Sequence, residues 1–394
     1  MRVLMFSTDS SVLVPGSDSR ERMRAYSDIV ERLHVVVLHR SEEEKPAGAE
    51  NGEDAFRIRI GRRLVLYPTR SFTKSSALFD AFKIGKKVLP SKNDPFRKNW
   101  LITAQNPFAL GVLGWLLSKL HGVALELQLH TDVESPFFKK ESLRNAVRAI
   151  TARFLLSRAD GVRVVSERLA KPLRVRAGKN PEIMPVFVDI GALRAQPLVA
   201  DVKKKYSQFD FLILMVSRLS REKDIGTALR TLAVIVKKYP KTGLVIIGDG
   251  PERARLLLLT TDYGLLTNVL FEGWQNDLVS YYKSADAYLL TSLYEGYGRT
   301  LIEAAALGCP IVSSDVGIVG EILLPNENAL VCAPGDADCF ARAILRIRED
   351  GHLKRILSVR AEQAINGIEM SREDYLKNCS RIWRACLQAK NEKF

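Results

Sequence analysis

The chain has 394 residues, 46% of them hydrophobic and 26% charged, an ordinary globular composition too long for one core, so two domains are expected. The net charge of +14 is uneven, since residues 1–190 hold 32 Lys and Arg against 21 Asp and Glu while the rest hold 27 against 24. The longest apolar run, Pro107 to Leu117, is too short to cross a bilayer, and the five cysteines (Cys309, Cys332, Cys339, Cys379, Cys386) lack the C-x2-C spacing of a zinc site or a disulfide framework and read as reduced core thiols.

In chain order, the first half predicts strands at Val3–Phe6, Val35–Leu38, Leu101–Thr103, Ala124–Leu129 and Gly161–Val165, with helical periodicity over Ser27–Leu33 and Leu143–Leu156. The acidic segment Glu42 to Asp54 reads as a solvated loop. In the second half strands are predicted at Phe211–Val216, Leu244–Ile247, Val269–Phe271, Ala287–Leu290 and Pro310–Ser313, with a helix over Asp224–Val236. Short apolar strands alternating with helices indicate parallel sheets covered on both faces. The expected fold is therefore α/β, with two Rossmann-like parallel-sheet domains over 1–190 and 207–370, joined by the polar stretch Ala192 to Tyr206 and facing a central cleft. In 371–394, Ser371 and Asp374 match a capping box, and Tyr375, Leu376, Cys379, Ile382, Trp383, Cys386 and Leu387 make one apolar helical face.

Open α/β sheets bind ligands beyond the carboxyl ends of their strands, which directs attention to the loops there. Glu295 and Glu303 lie eight positions apart in Tyr294-Glu-Gly-Tyr-Gly-Arg-Thr-Leu-Ile-Glu303, across an expected strand-to-helix turn. Thr300-Leu-Ile-Glu303 also fits a capping box, so Glu303 has a structural reading beside a ligand-binding one. Glu295, beside Gly296 and Gly298, caps nothing obvious. Arg218 and Lys223 follow the strand Phe211–Val216, where two cations could neutralise a diphosphate, and Gly248-Asp-Gly250-Pro would let backbone approach a ligand. Arg253 stands where the dinucleotide fingerprint needs its third glycine, which disfavours a nicotinamide enzyme, and no Walker phosphate loop is present. His130 closes the strand Ala124–Leu129 without metal-ligand spacing to another histidine. Gly16, in Val14-Pro-Gly-Ser-Asp-Ser-Arg20, with Arg20 and Arg22, reads either as an anion loop or as a plain turn.

Together these positions resemble the retaining glycosyltransferases with two Rossmann domains, the GT-B glycosyl transferases of group 1. The resemblance spans nearly the whole chain and is strongest from Val216 to Asp336. Its E-x7-E signature falls on Glu295 and Glu303, its Arg and Lys pair on Arg218 and Lys223, and its glycine turn on Gly248 to Pro251, while Thr103 to Phe108 and His130-Thr-Asp132 are similar to stretches of the first domain. The resemblance implies that Glu303 binds the nucleotide ribose, Glu295 the donor-sugar hydroxyls, Arg218 and Lys223 the diphosphate, and His130 the transferring sugar or acceptor. Gly16, Gly248, Gly250, Gly296, Tyr297, Gly298, Arg299 and Thr300 complete the implied donor site. It further implies a terminal helix crossing back to the first domain, a UDP- or GDP-sugar co-substrate with no cofactor and no metal, and a retaining mechanism. Ser217 and Asp224 stand where the family commonly has glycine, and Thr131 and Asn106 where it has Gly and Asp, which leaves acceptor contacts open.

The expectation is thus a nucleotide-sugar-dependent glycosyltransferase acting on a glycan or lipid-linked acceptor in cell-surface polysaccharide or glycolipid synthesis. It would be cytoplasmic, because Met1 to Phe6 lacks the pattern of a signal peptide. A peripheral contact with anionic membrane is expected from the basic segments, including Leu143–Leu156, where Arg144 and Arg148 lie beside Val147, Ile150, Phe154 and Leu155. A nucleotide-sugar epimerase and a non-catalytic nucleic-acid-binding protein are the alternatives. Two carboxylates at the site and no aromatic stacking platform weigh against the second of these.

Overall fold

The computed structural model describes residues 1–39, 57–71, 73–177 and 180–393; the acidic segment Glu42 to Asp54 lies outside the described residues. Two sheets organise the chain. The strands of the first are β1 (Arg2–Ser7), β2 (Arg32–Val37), β3 (Ile58–Ile60), β4 (Leu64–Pro68), β5 (Trp100–Ala104), β6 (Ala124–Leu129), β7 (Gly161–Val164) and β8 (Glu182–Ile183), in the order β3-β4-β2-β1-β5-β6-β7-β8. The second contains β9 (Phe211–Val216), β10 (Thr242–Ile247), β11 (Val269–Gly273), β12 (Ala287–Leu290), β13 (Ile311–Ser314) and β14 (Leu330–Cys332), in the order β11-β10-β9-β12-β13-β14. Every pairing is parallel except β3 with β4 at the edge of the first sheet. Parallel strands with helices on both faces are buried on both sides, which is why β9, β12 and the Leu244–Ile247 stretch of β10 read as unbroken apolar runs, whereas β6 buries Glu126 and Gln128 among its apolar residues.

The helix predicted over Ser27–Leu33 does not form. A helix runs over Asp18–Asp28 instead, and Leu33 is the first buried residue of β2. Ile29, Val30 and Leu33 mimic a helical repeat only because a helix end, a turn and a strand start follow one another there. The four short strands β3, β4, β8 and β14 were not predicted. All lie at or next to sheet edges, and the antiparallel β3 makes the first sheet mixed rather than purely parallel. The stretch Ala192 to Tyr206 is no free linker, since it includes the turns of helix Ile190–Ala195 and Val202–Lys205, capped by Asp189 and Asp201. Arg194 donates to the Ala306 carbonyl at 2.9 Å and Tyr206 is buried, so the stretch is seated on the second domain.

The reading of five reduced thiols is corrected in part. Cys332 and Cys339 form a disulfide between β14 and the start of helix Ala337–Glu349, while Cys309, Cys379 and Cys386 are free and buried.

The terminal helix Arg372–Asn391 starts as expected, with the Ser371 side chain accepting from the Asp374 N–H at 3.0 Å. Its apolar face crosses back over β5, β6 and β7 of the first sheet, where Cys379, Ile382, Trp383 and Cys386 join the core formed with Val3, Val35, Leu101 and Ala124. Trp383 is fully buried and meets Tyr26 edge-on at 5.7 Å.

Candidate active site

The expected site residues gather where the carboxyl ends of β9, β10 and β12 face the carboxyl end of β6 across the cleft. Helix Arg299–Ala306 begins immediately after Gly298, whose φ of +87° ends the loop that follows β12. Gly298 offers no side-chain cap, so the backbone N–H groups of the first turn are left without the partner a capping side chain supplies. The capping-box reading of Thr300 and Glu303 is overturned by this start, because Glu303 falls in the second turn of the helix. Its carboxylate is instead buried between the Tyr282 hydroxyl, which donates to Oε2 at 3.1 Å, and Arg299, whose Nε lies 2.8 Å from Oε1. Burial raises the Glu303 carboxyl above the usual range, with Arg299 and the Tyr282 hydroxyl opposing that push.

Glu295 lies in the same loop and meets Lys223 from the other side of the site, with Lys223 Nζ 2.5 Å from Oε1. The Ser292 hydroxyl donates to the same oxygen at 2.8 Å. Lys223 closes the short turn Arg221–Lys223 after β9, and its carbonyl accepts from the Thr291 hydroxyl at 3.0 Å, tying that turn to the end of β12. Arg218 stands apart from this pair. It is exposed and pairs with Glu222 at 2.7 Å, and the Ser220 hydroxyl donates to the same carboxylate oxygen. Although burial acts upward on Glu222, the Ser220 hydroxyl and Arg218 hold its carboxyl below the usual range. One cation is thus paired inside the site and a second waits at its rim.

Two glycines allow the close approaches that shape this pocket. A methyl group at Gly248, where φ is +128°, would lie 2.1 Å from the Ser217 carbonyl oxygen, so the loops after β9 and β10 touch through backbone alone. A methyl group at Gly296 would lie 1.9 Å from the carbonyl oxygen of His130, across the cleft in the other domain. The Ser166 hydroxyl donates to the Gly296 carbonyl at 2.7 Å and strengthens that junction. Gly250 packs against the Leu219 carbonyl, Tyr297 is buried with its carbonyl accepting from Ile318 N–H at 3.0 Å, and Thr300 lies in the first turn of the helix. Asp224 adopts φ +43°, a conformation that glycine takes at lower cost, and its carboxylate accepts from the Thr227 hydroxyl at 2.5 Å.

From the first domain, His130 reaches the cleft at the end of β6, with its Nε2 3.1 Å from Gln128 Oε1. It is open to solvent on one side yet surrounded by protein from both domains, and this burial, with Arg163 and Arg22 adding to it, lowers its imidazole to about 4. Asp132 accepts the N–H groups of Glu134 and Ser135, each at 3.0 Å, and so shapes the turn beyond His130. Gly16 has φ +75° and open space about it. The anion-loop reading of its neighbours is corrected: Arg20 is buried and donates to the carbonyls of Val12 and Leu13, bracing its own loop, and Arg22 faces Asp9 and Ser19.

Sequence reasoning missed Tyr282 and Ser166, which reach Glu303 and the Gly296 carbonyl from elsewhere in the chain, and Ser292, Glu222 and Gln128, which hold Glu295, Arg218 and His130 from within four residues. It also missed Tyr294, which adjoins Glu295 and packs edge-on against Phe138 at 5.4 Å while donating to Glu141 at 2.5 Å. Ser292, Glu222 and Gln128 left local signals, as polar residues three, four and two positions from Glu295, Arg218 and His130.

Residues 201–364 match the family described as glycosyl transferases group 1. Among curated proteins, the lipopolysaccharide core biosynthesis glycosyltransferase LpsE of Rhizobium meliloti (strain 1021) is 36% identical over 143 residues, which is 36% of this chain and 42% of that one. The chain spans between 42% and 64% of the length of the first curated relatives it matches. Among solved structures, a sucrose-phosphate synthase from Thermosynechococcus elongatus superposes with a TM-score of 0.75 at 20% identity, covering 99% of this chain and 100% of that one. HepE of Anabaena in complex with UDP and glucose superposes with a TM-score of 0.71 at 20% identity, covering 97% and 98%. These likenesses establish the two-domain GT-B fold.

Proposed function

We propose, from the match of residues 201–364 to the family described as glycosyl transferases group 1, that the protein is a retaining glycosyltransferase. It moves a sugar from a UDP- or GDP-sugar to a glycan or lipid-linked acceptor in cell-surface polysaccharide or glycolipid synthesis. The observation that carries the proposal is the Lys223–Glu295 pair at 2.5 Å, set beside the uncapped start of helix Arg299–Ala306 and the buried carboxylate of Glu303. Carboxylates accept hydrogen bonds from sugar and ribose hydroxyls, whereas a helix N-terminus and fixed cations favour the phosphates between them.

In this reading Glu303 accepts from the ribose, Glu295 orients the donor sugar, and Lys223 with Arg218 neutralises the departing diphosphate. Charge building on the leaving group is stabilised by groups already in place, and this proposal asks for no metal. Glu295 orients and stabilises rather than forming a covalent bond, with attack on the face the leaving group vacates and a donor phosphate oxygen taking the acceptor proton. His130 contacts the sugar from the first domain. Gly16 remains part of the proposed donor side through its backbone. The uridine form is favoured by the UDP complex of a structural neighbour.

Calorimetric titration with UDP-, GDP- and ADP-sugars in EDTA tests this. Selective binding to one base is expected, weakened at least about tenfold in Arg218→Ala and Glu303→Ala. Absence of binding to all three would overturn the proposal.

The acceptor side carries a second part of the reading. No helix among the described residues is long and apolar enough to cross a membrane. Helix Leu143–Arg158, however, leaves Leu143 83%, Val147 54%, Ile150 66% and Phe154 43% exposed in one stripe, beside Arg144 and Arg148. Leu155, expected on that stripe, is buried in the core instead. Leu116 and Leu120 of the neighbouring helix Ala109–His121 are also exposed, and Trp115 meets Phe154 edge-on at 5.6 Å. An apolar stripe flanked by arginines fits the headgroup region of an anionic bilayer, where a lipid-linked acceptor would reside. Sedimentation with phosphatidylglycerol vesicles should be salt-sensitive and lost in Ile150→Glu/Phe154→Glu; equal recovery with and without vesicles would remove this part.

A further inference from the structure

We infer that Gln128 is a positioning residue that fixes His130 as the neutral Nε2–H tautomer, anchored through a buried network that ends on Glu126, Arg163 and Trp383 of the terminal helix. The inference deepens the proposed role of His130 and rests on that reading only for its consequence in turnover.

The direction of every bond in the network follows from groups that can act in one way only. Glu126 is fully buried in β6, with Oε1 3.4 Å from Arg163 Nε. Its other oxygen, Oε2, faces the indole Nε1–H of Trp383 at 3.2 Å, and an indole only donates. Oε2 must therefore accept. The Thr103 hydroxyl also touches Oε2 and so gives it its proton, leaving the Thr103 oxygen as an acceptor for the Gln128 amide at 2.8 Å. Gln128 Nε2 lies a further 3.4 Å from Glu126 Oε2. Turning this amide over would set its oxygen against two oxygens that have no proton to offer it, so the NH2 group faces inward and Oε1 faces His130. That oxygen can only accept, and His130 Nε2, 3.1 Å away, must carry the hydrogen.

The consequence lies at the other ring nitrogen. With Nε2 carrying the ring hydrogen and the surrounding protein lowering the half-open imidazole below its ordinary value, Nδ1 presents a bare lone pair at neutral pH. A bare nitrogen accepts from a hydroxyl and repels a phosphate oxygen. His130 is thereby set to bind a sugar hydroxyl of donor or acceptor and to leave the diphosphate to Lys223 and Arg218. Arg163 and Trp383 lie behind the site, so the terminal helix helps fix the state of a side chain in the cleft without touching the ligand.

The test is the ring-nitrogen NMR spectrum of the full-length protein labelled with 15N-histidine at pH 7, with His130 assigned by its loss in His130→Gln. A protonated Nε2 and a bare Nδ1 are expected in the unaltered protein. An Nδ1–H form or a doubly protonated ring would overturn the inference. Gln128→Leu should mix the tautomers and lower kcat/KM for glycosyl transfer about tenfold. Unmixed tautomers in a folded Gln128→Leu would equally overturn it. Because the spectrum needs no turnover, an Nε2–H ring in a protein that transfers no sugar would support this inference and sink the catalytic reading alone.

Discussion

Glu303 works against the fold that holds it. Burial raises its carboxyl above the value of about 4.3 expected in the unfolded chain, so the native state binds this proton more tightly than the unfolded state does. The favourable term is then complete below the unfolded value and lost as pH rises through the folded one, leaving the ionised group a cost at neutral pH. Glu303→Gln keeps an acceptor for the Tyr282 hydroxyl and removes the charge, so it should gain ~1 kcal/mol at pH 7.5, or ~2–4 °C in melting temperature. The gain should shrink toward pH 5, and donor binding should weaken at the same time. A variant that melts no higher than the parent at pH 7.5 would refute this account. Lys223 and Glu295 behave as a pair, because both are mostly buried. Removing either alone strands its partner, so Lys223→Ala should be worse for stability than Lys223→Ala/Glu295→Gln, with a coupling of ~1–3 kcal/mol in a double-mutant cycle.

The terminal helix shows how one element can serve two ends of the molecule. Its cap and apolar face were legible in the sequence because both are local: a serine three residues before Asp374, and apolar residues recurring at helical spacing. The strands Phe211–Val216 and Ala287–Leu290 were legible at their full bounds as apolar runs flanked by polar residues, and Ala124–Leu129 by apolar–polar alternation. The edge strands β3, β8 and β14, of two or three residues, are too short to carry such a run, and β4, an apolar run of five residues next to the edge, was passed over. At the proposed site, Glu295, Lys223 and Glu303 were singled out by order and spacing, but Tyr282 was not, since only tertiary packing brings it from a distant element, and Gln128, two residues before His130, was passed over because its alternation with Glu126 reads as an ordinary strand face. The Thr300 to Glu303 spacing misled because three residues also make less than one turn inside a helix. The buried side chain that matters most in the terminal element is Trp383. Trp383→Ala should cost ~3–5 kcal/mol by leaving a cavity against Tyr26. Trp383→Phe, which keeps most of the packing and loses the bond to Glu126, should cost ~1–2 kcal/mol. Urea unfolding measures both, and equal costs would show that the indole N–H contributes nothing.

At the scale of the whole molecule, the cleft is held by a few contacts that cross it. Glu167 N–H donates to Glu321 at 2.8 Å, Arg168 reaches the Gly317 and Val319 carbonyls at 3.2 and 3.0 Å, Tyr294 reaches Glu141, and the Gly296 backbone abuts His130. The last of these is the most demanding, because backbone meets backbone and no rotamer can relieve a clash. Gly296→Ala would put a methyl group 1.9 Å from the His130 carbonyl oxygen, so the two domains must part by more than about 1 Å for ordinary contact to return. One apolar core runs continuously from Leu127 and Phe138 of the first domain to Tyr294 and Leu301 of the second, so parting the domains should also lower the melting temperature while small-angle scattering reports a larger radius of gyration. The proposed transfer sets Glu295 and His130 on opposite sides of one sugar, and on that reading a displacement of that size should lower kcat by ~100-fold. Binding of the nucleotide, for which the proposal relies on Glu303, Lys223 and Arg218 of the second domain, should be nearly unchanged. A Gly296→Ala variant with full turnover would mean that the reaction proceeds with the domains further apart than they stand here; one that loses nucleotide binding as well would place the damage in the loop after β12 rather than between the domains.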